Sequence, residues 1–512
     1  MPPVVPAELA FAGDGTPWSP AYDDVYHTAH GALAQARHVF LAGNALPARW
    51  IDAERFVILE TGFGLGLNFL ATWQAWRQSG AKGRLYFVSA EKHPFRRADL
   101  AALLAPHAEL GALAGELLRQ WPPLTPGFHR LHFDAGRVTL TLLLGDAQIL
   151  LPQLSAEIDA VFLDGFAPAK NPELWSPPVL AAISRLCKSG ATLATWSVAG
   201  ELRRTLQQQG WQVERRPGFA GKREMLAGRL ENAVTCPRSG VPGTQSAPAP
   251  TFDSSPPPRE RRAIVIGAGL AGTAISERLA VRGWQIELFE RHAQPAQEAS
   301  GNPSGILLPH LAKDDALAAR LSRACYLYAL RRFAELDGIR WSPCGVLQVA
   351  RDAAHEKLQR ATVEQLQLPA DFAAFLDRDA AAALIGRDVA HGGWWFPGGG
   401  WVSPASVCSA LLAAAGVVVD ARFGTEVASL RQTADGWQAL DAAGRLLAEA
   451  AHVVLANAHD ANRLLTQALP LTAIRGQVSY LPSGIADTML PPLHHVICRS
   501  GYITPPAAGT VC

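Results

Sequence analysis

Short apolar runs recur along the chain, and several of them end at a glycine-rich turn or an acidic residue. Residues 55–60 (Arg-Phe-Val-Ile-Leu-Glu) form such a run, and a turn with three glycines joins it to the longer apolar stretch 69–76. A compact apolar run of this length is typical of a buried strand, and the stretch after the turn is typical of a helix. The same order returns at residues 262–280. The pattern predicts two α/β units.

The first glycine turn contains Gly62, Gly64 and Gly66. Glycines between a strand and a helix let the backbone approach a ligand closely and direct helix N–H groups towards it. The same glycines also suit a tight turn that binds nothing, so this motif alone leaves both interpretations open.

Three later apolar runs end at acids, namely Glu91, Asp146 and Asp164. The carboxyl ends of parallel strands lie over the ligand crevice of an α/β sheet, where an acid can accept hydrogen bonds from ribose hydroxyls. Any one of these acids alone could cap a helix. Three of them in sequence, after Glu60 and the glycine turn, favour a nucleoside-containing ligand.

The second glycine turn has the spacing Gly-x-Gly-x-x-Gly at Gly267, Gly269 and Gly272. It follows the apolar run 262–266 and precedes the helical pattern 273–280, and the next predicted strand ends at Glu290. This order of strand, glycines, helix, strand and acid is typical of a dinucleotide site, and an acid at this position disfavours a ribose 2′-phosphate.

A segment rich in proline, serine and glycine separates the two units at residues 236–260. Such a composition predicts an extended linker, because it offers too little apolar surface to offset the entropy of ordering. We therefore expect a first domain at residues 1–235 and a second at 261–512.

The chain has 512 residues, 49% of them hydrophobic and 18% charged, and a formal net charge of +1. These values fit a globular α/β protein, and no apolar run approaches the ~20 residues that span a bilayer. The start lacks the features of a signal peptide, and the seven cysteines form no Cys-x-x-Cys pair. We therefore expect a cytoplasmic protein without a metal site. Since the net charge is nearly zero, nucleic-acid binding would require a local basic patch.

Several motifs of the first domain resemble known proteins. The order of Glu60, the three glycines, Glu91 and Asp146 resembles class I S-adenosylmethionine methyltransferases. Residues 61–69, 163–175 (Leu-Asp-Gly-Phe-Ala-Pro-Ala-Lys-Asn-Pro-Glu-Leu-Trp) and 218–225 are similar to the methyltransferase half of the bifunctional family of tRNA 5-methylaminomethyl-2-thiouridine biosynthesis.

This resemblance implies roles for individual residues. Glu60, Gly62, Gly64, Gly66, Glu91 and Asp146 would hold S-adenosylmethionine. Asp164 is the catalytic candidate that holds or deprotonates an aminomethyl group, although it could instead cap the following turn. Phe166 and Trp175 could stack on the target base or pack the loop. Substrate contacts are also expected from Lys170, Lys222 and Arg223. The alternative is that these basic residues belong to the solvated surface, which is the usual role of such runs.

The second domain resembles FAD-dependent oxidoreductases of the D-amino-acid-oxidase type, which combine a Rossmann fold with an antiparallel substrate sheet. The resemblance implies FAD contacts from Gly267, Gly269, Gly272 and Glu290, from the segment with Ser300, Gly301 and Asn302, and from Val427. Arg475 and Tyr502 are candidate substrate contacts, and Arg475 could equally be a surface charge. The family's oxidase half continues beyond the equivalent of Cys512, so we expect this domain to be incomplete at its carboxyl end.

The family implies two reactions on the wobble uridine of tRNA. FAD-dependent oxidation would remove a carboxymethyl group from an amine, and methyl transfer would follow, because it needs the freed amine. We expect a monomer that binds tRNA and no membrane. Two alternatives remain: an amine N-methyltransferase fused to an amino-acid oxidase without RNA, and a methyltransferase whose flavin-like half serves only for docking.

Overall fold

The computed structural model describes residues 1–28, 30–232, 260–482, 493–506 and 510–511. The predicted linker at 236–260 lies outside the described residues except for Glu260. The chain forms two compact units. The first comprises Met1–Ala247, Asp314–Tyr328 and Leu366–Pro369, and the second comprises Pro248–Lys313, Ala329–Gln365 and Ala370–Cys512.

The first unit begins with a small antiparallel sheet of three short strands, β1 (Ala10–Phe11), β2 (Pro17–Ser19) and β3 (Asp24–Val25). A helical segment follows, made of α1 (Ala32–Gln35), a π-helical turn (Ala36–Leu41) and two 3₁₀ turns (Ala42–Asn44 and Ala48–Trp50).

An eight-stranded sheet forms the centre of the first unit. Its strands are β4 (Arg55–Glu60), β5 (Arg84–Glu91), β6 (Gly127–Phe133), β7 (Val138–Leu144), β8 (Ile158–Phe162), β9 (Cys187–Thr195), β10 (Trp211–Pro217) and β11 (Glu224–Leu230). The order across the sheet is β10-β11-β9-β8-β4-β5-β7-β6. The five adjacent strands β9, β8, β4, β5 and β7 are parallel to one another. The outer strands β6, β10 and β11 pair antiparallel with their neighbours.

Helices cover the two faces of this sheet. They are α2 (Leu67–Ser79), α3 (Arg97–Leu104), α4 (Gly111–Gln120), α5 (Ala147–Leu150), α6 (Pro177–Leu186) and α7 (Gly200–Gln208). Short 3₁₀ turns lie at Ala108–Leu110, Asp134–Gly136 and Leu151–Gln153. Every residue of β7 is buried, as expected for a parallel strand covered on both faces.

Aromatic side chains fill much of the core between the sheet and α2. Trp73 packs on Phe133 with ring centroids 4.5 Å apart, and Phe69 meets Phe87 edge to face at 5.3 Å. All four rings are at most 2% exposed. Aromatic pairs of this kind add about 0.5–1.5 kcal/mol each beyond the area that they bury. The core therefore fixes α2, and with it the turn that precedes the helix.

The strands that follow residue 260 form several smaller sheets. They are β12 (Arg262–Ile266), β13 (Gln285–Glu290), β14 (Gly305–Leu307), β15 (Trp341–Ser342), β16 (Val346–Val349), β17 (Ala374–Leu376), β18 (Gly393–Phe396), β19 (Gly400–Val402), β20 (Val419–Phe423), β21 (Ser429–Gln432), β22 (Trp437–Leu440), β23 (Leu446–Ala450), β24 (His452–Leu455), β25 (Leu481–Pro482), β26 (Val496–Cys498), β27 (Tyr502–Ile503) and β28 (Thr510–Val511).

A parallel sheet in the order β20-β13-β12-β24 carries the second glycine turn. The other sheets have the orders β14-β19-β15, β17-β18-β16-β26-β27, β21-β22-β23 and β25-β28, and they are largely antiparallel. The helices are α8 (Leu270–Ala280), α9 (Leu317–Glu335), α10 (Ala353–Leu366), α11 (Arg378–Ile385) and α12 (Pro404–Ala415), with 3₁₀ turns at Ala299–Gly301, Gly416–Val418 and Ala458–Arg463.

The alternating sides of β12 face two separate cores, one containing Ile264 and Ile266 and the other Ala263 and Val265. Burial on both faces explains why this strand has an uninterrupted apolar sequence. The apolar runs 55–60 and 262–266 coincide with β4 and β12, and the runs ending at Glu91 and Glu290 end there as β5 and β13. The runs expected to end at Asp146 and Asp164 end two residues earlier, as β7 and β8.

Candidate active sites

The first glycine turn connects β4 to α2 in the conformation that only glycine adopts without strain. Gly64 and Gly66 have φ values of +50° and +73°. A Cβ on Gly62 would lie 3.3 Å from the carbonyl oxygen of Asp164, so a side chain here would crowd the neighbouring strand end. The turn is thus held close to the carboxyl end of β8, as the sequence predicts.

Glu91 lies at the end of β5 and holds this turn in place. One carboxylate oxygen accepts a hydrogen bond from the Gly64 amide at 2.8 Å, and the other accepts from the His93 amide at 2.8 Å. A carboxylate has about four acceptor positions, so each oxygen keeps capacity for a ligand hydroxyl. Its side chain lines a cavity.

Asn68, in the first turn of α2, joins two of the predicted acids. Its Nδ2 donates to Glu60 Oε1 at 2.9 Å and to Asp164 Oδ2 at 2.8 Å. Glu60 is fully buried and also accepts from Ser89 Oγ at 2.6 Å. Glu60 therefore lies behind the glycine turn and orders the side chain that contacts Asp164.

The carboxylate of Asp164 is fixed from three directions. Oδ2 accepts from Asn68, while Oδ1 accepts from the Gly165 amide at 2.8 Å and from Trp196 Nε1 at 3.1 Å. The Thr61 hydroxyl donates to the Asp164 carbonyl oxygen at 2.5 Å. These contacts hold the Asp164 side chain beside the cavity, and it does not cap a helix. It does bond to the turn that follows it, because the Gly165 amide is one of its three donors.

The two linked acids have raised pKa values. Burial raises the pKa of Glu60 well above its usual range, and the nearby charge of Asp164 acts in the same direction. Burial raises the pKa of Asp164 to about 6, although the hydrogen bonds from Gly165, Asn68 and Trp196 and the positive charge of Lys222 oppose the rise. A carboxylate with such a pKa accepts a proton more readily than an ordinary aspartate.

A cavity of about 520 Å³ opens at this edge of the sheet. Its lining brings together many of the residues singled out from the sequence: Gly62, Gly64, Glu91, Asp146, Asp164, Phe166 and Lys222. Glu60, Gly66, Lys170, Trp175 and Arg223 are not part of the lining.

The amino-terminal segment supplies an aromatic wall of the cavity. Tyr22 stacks on Phe166 with centroids 4.7 Å apart, and Tyr26 meets the same ring edge to face at 5.1 Å. Trp175 is only 7% exposed and donates from Nε1 to the Phe166 carbonyl oxygen at 2.8 Å. Trp175 thus supports the loop that presents Phe166, and Phe166 is the ring that lines the cavity.

The same cavity is also lined by the charged residues Lys92, Asp146 and Glu173. Asp146 caps α5 by accepting from the Gln148 amide at 2.9 Å, and Lys92 Nζ lies 3.2 Å from both Asp146 and Glu173. Lys170 is exposed and pairs with Asp23 at 3.2 Å. Arg223 is exposed in the loop between β10 and β11.

The second glycine turn is equally close-packed. Gly267 has a φ of +101°, and a Cβ there would lie 2.7 Å from the carbonyl oxygen of Ala456. A Cβ on Gly272 would lie 1.8 Å from the carbonyl oxygen of Gly267. The turn and the start of α8 can approach each other only because both positions lack a side chain.

Glu290, at the end of β13, holds this second turn as Glu91 holds the first. Its oxygens accept from the Ala268 amide at 2.8 Å and from the His292 amide at 2.9 Å. The Thr425 amide donates to the Glu290 carbonyl oxygen at 2.9 Å, which places the segment leading to Val427 beside it. Val427 itself is buried in the apolar core.

The segment at residues 299–304 lies against the same turn. Ser300 Oγ accepts from the Leu270 amide at 3.1 Å, at the start of α8. Asn302 Nδ2 donates to the Tyr502 hydroxyl at 2.7 Å, and that hydroxyl donates to the Ser304 carbonyl oxygen at 3.2 Å. Gly301 lies close to Ala296, whose carbonyl oxygen would be 2.7 Å from an added Cβ. Arg475 is exposed.

Comparison with known proteins accounts for both halves. Residues 108–231 match a family of S-adenosyl-L-methionine-dependent methyltransferases, and residues 262–512 match the FAD dependent oxidoreductases. A protein of Azoarcus sp. (strain BH72), named tRNA 5-methylaminomethyl-2-thiouridine biosynthesis bifunctional protein MnmC, is 50% identical over 518 residues, covering 100% of this chain and 78% of the relative. The chain belongs to the MnmC family.

A second MnmC protein, from Cupriavidus necator, is 48% identical over 509 residues, which cover 98% of this chain and 76% of that protein. Among solved structures, the glycine oxidase of Geobacillus kaustophilus is 20% identical with a TM-score of 0.38, covering 49% of this chain and 70% of that one.

Membership in the MnmC family confirms the expected fold class and the two expected cofactors, S-adenosylmethionine and FAD. The residues present fit both groups. Gly62 and Gly267 let each glycine turn pack closely against a neighbouring strand end, and Glu91 and Glu290 each keep acceptor capacity beside a turn.

Sequence patterns did not indicate four residues of the first site, namely Asn68, Trp196, Tyr22 and Tyr26. Trp196 directly follows β9, the strand next to β8, so its position at a parallel strand end was an available signal. The tyrosines come from the amino-terminal segment, whose pairing no local pattern predicts.

Two features are absent from the described residues. No group of three or more His, Cys, Asp or Glu side chains is placed to hold a metal ion. None of the helices in this part of the chain has the length and apolar character that crossing a membrane requires.

Proposed function

We propose that the chain modifies the wobble uridine of tRNA in two successive reactions. The second half removes the carboxymethyl group from 5-carboxymethylaminomethyl(-2-thio)uridine, and the first half methylates the freed amine to give 5-methylaminomethyl(-2-thio)uridine. The observation that carries the proposal is the identity of 50% over the full chain to a bifunctional MnmC protein. The cavity that unites Glu91 with Asp164 supplies a suitable place for the second reaction.

In the methyltransferase half, Gly62, Gly64, Gly66, Glu91 and Asp146 would hold S-adenosylmethionine, with Glu60 ordering the turn from behind. This group supplies the methyl that the amine nitrogen takes up. The nitrogen lone pair must be free for the new bond, so the ammonium form of the substrate must first lose a proton. Asp164, with its raised pKa, would accept that proton or hold the amine in place. Phe166 and Tyr22 offer the aromatic surface on which a base could stack.

In the oxidoreductase half, Gly267, Gly269, Gly272 and Glu290 would hold the nucleotide part of FAD, with Ser300, Gly301, Asn302 and the segment before Val427 alongside. FAD would supply the two-electron acceptor for oxidation of the carboxymethyl carbon next to the amine nitrogen. Water would then cleave the resulting imine into glyoxylate and the free primary amine. The residues of the chain must orient the carboxymethyl carbon and bind the substrate carboxylate. Arg475 and Tyr502 are the candidate substrate contacts of this half. Tyr502 is held by its hydrogen bond with Asn302.

Contacts to the tRNA backbone are proposed for exposed basic residues of the methyltransferase half. Part of its basic side chains already pair with acids: Arg215 lies 2.9 Å from Glu224, and Arg216 lies 2.6 Å from Glu214. Exposed positions that would contact phosphates include Arg96, Arg97, Arg204 and Arg223. We also propose that the protein is a monomer and acts in the cytoplasm.

Incorporation of labelled methyl groups tests the RNA assignment. The purified chain should transfer methyl from S-adenosylmethionine to tRNA that carries 5-aminomethyluridine, and the rate at low tRNA concentration should fall steeply with added salt, because phosphate contacts release counterions. Fully modified tRNA is the matched control and should accept no methyl group. If free amines accepted methyl while tRNA did not, the RNA assignment would be wrong.

A further inference from the structure

Trp196 occupies a central position in the first cavity. It follows the last residue of β9, lines the cavity and packs partly against both apolar cores of the unit. Its indole N–H donates to Asp164 Oδ1 at 3.1 Å. The edge of the ring is thus tied to the catalytic candidate, which fixes the orientation of the ring face.

The face of this ring is covered by an ammonium group. Lys222 Nζ lies 3.3 Å from the centroid of the Trp196 ring. The negative charges of Asp24 and Asp164 also act on Lys222. An aromatic face flanked by carboxylates is a favourable environment for an organic cation, because the ring quadrupole and the negative charges attract it together.

We propose that the face of Trp196 is the binding site for the substrate's primary ammonium group, and that Lys222 occupies this site until the substrate displaces it. This inference rests on the proposed function, since the freed aminomethyl group is a primary amine. Lys222 resembles that group closely: both are an ammonium on a CH₂ carbon. The lysine therefore marks the position where the chemistry of the cavity favours such a cation.

The position of Lys222 in the fold is compatible with displacement. It lies in the loop between the antiparallel strands β10 and β11, at residues 218–223. The loop is closed by hydrogen bonds from the Gly218 amide to the Arg223 carbonyl oxygen at 3.0 Å and from the Lys222 amide to the Phe219 carbonyl oxygen at 3.1 Å. The residue as a whole is exposed, whereas burial lowers the pKa of its ammonium group, which lies on the ring inside the cavity. Rotation about the side-chain bonds would move this group off the ring and into solvent.

The same arrangement accounts for substrate choice. A primary ammonium on the ring lies next to Asp164, the group proposed to take its proton. A neutral base without the aminomethyl group would make neither the cation–π contact with the Trp196 ring nor the ionic contact with the Asp164 carboxylate. A precursor that still carries the carboxymethyl group would bring its own carboxylate towards Asp24 and Asp164, which like-charge repulsion disfavours. The site thus selects the product of the oxidation step.

Steady-state methyl transfer to tRNA carrying 5-aminomethyluridine tests the role of the ring. Trp196→Leu removes the ring face and the N–H group, whereas Trp196→Phe keeps a smaller ring face and loses the N–H group. We expect KM for this tRNA to rise about tenfold in W196L and at most about threefold in W196F, while kcat falls in both because Asp164 loses a donor. Thermal melting checks that both variants fold. Equal KM values for W196L and the wild type would overturn the proposal.

Lys222→Met tests the second part, with Lys82→Met as the control for loss of an exposed lysine. If Lys222 competes with the substrate, KM should fall about threefold in K222M and stay unchanged in K82M. A rise of KM in K222M would show that Lys222 binds the substrate instead. Wild-type turnover separates this outcome from the larger proposal: if the wild type does not methylate the tRNA, the proposed function fails, whatever the variants do.

Discussion

At the residue scale, the first site depends on how one carboxylate is held. Asp164 receives hydrogen bonds from a backbone amide, an amide side chain and an indole, and each donor comes from a different part of the sheet edge. Charge-assisted hydrogen bonds of this kind fix a side chain more firmly than neutral ones. Burial nevertheless raises its pKa to about 6, so Asp164 is both well positioned and more basic than a solvated aspartate.

Removing this charge should stop methyl transfer without emptying the cofactor site. In Asp164→Asn we expect kcat for tRNA methylation to fall at least about a hundredfold, because the variant cannot take a proton from the amine. Binding of S-adenosylmethionine, measured by calorimetry, should change little. Asp52→Asn, at an exposed position before β4, is the matched control and should keep full activity. Unchanged turnover in D164N would contradict the assigned role.

The raised pKa also predicts the pH dependence of methyl transfer. Asp164 accepts a proton only as the carboxylate, so kcat/KM, which reports the free enzyme with Lys222 in place, should be lost as the pH falls through about 6, rather than near pH 4 as for an ordinary aspartate. The positive charge of Lys222 lowers this pKa, and the buried Glu60 lies on the other side of Asn68. In K222M the acid limb of the profile, the pH range in which activity falls on acidification, should therefore lie at higher pH. A pH–rate profile of both proteins checks the direction, and an acid limb near pH 4 in the wild type would rule out Asp164 as the titrating group.

At the scale of elements, the two halves use the same device: a glycine turn after a strand, held by an acid from the next strand. Glu91 binds the amide of Gly64, and Glu290 binds the amide of Ala268. These acids support the turns as well as offering acceptors to a ligand. Loss of a turn glycine should therefore affect the cofactor site before it affects the rest of the fold.

Alanine at two turn positions should give graded losses of flavin. In Gly272→Ala the new Cβ would meet a backbone oxygen at 1.8 Å, so the turn must shift and bound flavin should be lost. In Gly269→Ala the nearest atom is the Ser300 hydroxyl at 3.0 Å, and a side chain can move. Flavin absorbance per chain should follow the order wild type, G269A, G272A. Full flavin content in G272A would show that this turn does not hold FAD.

Local patterns predicted these elements well and the composition of the site only in part. The apolar runs and glycine spacings located the turns, Glu91, Asp146 and Asp164, because strand ends in a parallel sheet meet at one edge. They did not find Tyr22, Tyr26 or Trp196. The tyrosines reach the cavity through long-range packing of a short amino-terminal meander, and Trp196 becomes informative only once β9 is known to neighbour β8.

Trp175 illustrates a further limit. Its place in the motif at 163–175 was compatible with two roles, stacking on the target base and packing of the loop. In the structure the ring is buried, and its N–H holds the Phe166 carbonyl oxygen. Sequence position cannot distinguish a side chain that lines a cavity from one that supports the loop behind it, because both lie on the same short segment.

At the scale of the whole molecule, two catalytic halves on one chain imply an order of reactions. Methylation needs a primary amine, and removal of the carboxymethyl group produces one. The proposed ammonium site on Trp196 extends this logic, since it favours the product of the first reaction as the substrate of the second. Neither half alone would convert the carboxymethylaminomethyl group into the methylaminomethyl group.

Mass spectrometry of tRNA nucleosides tests the central claim most directly. The purified, flavin-containing chain is incubated with tRNA that carries 5-carboxymethylaminomethyl-2-thiouridine, with and without S-adenosylmethionine. We predict that 5-aminomethyl-2-thiouridine accumulates without S-adenosylmethionine and that 5-methylaminomethyl-2-thiouridine replaces it when S-adenosylmethionine is present. An unchanged nucleoside in both samples, or a methylated nucleoside that still carries the carboxymethyl group, would contradict the proposal of two successive reactions.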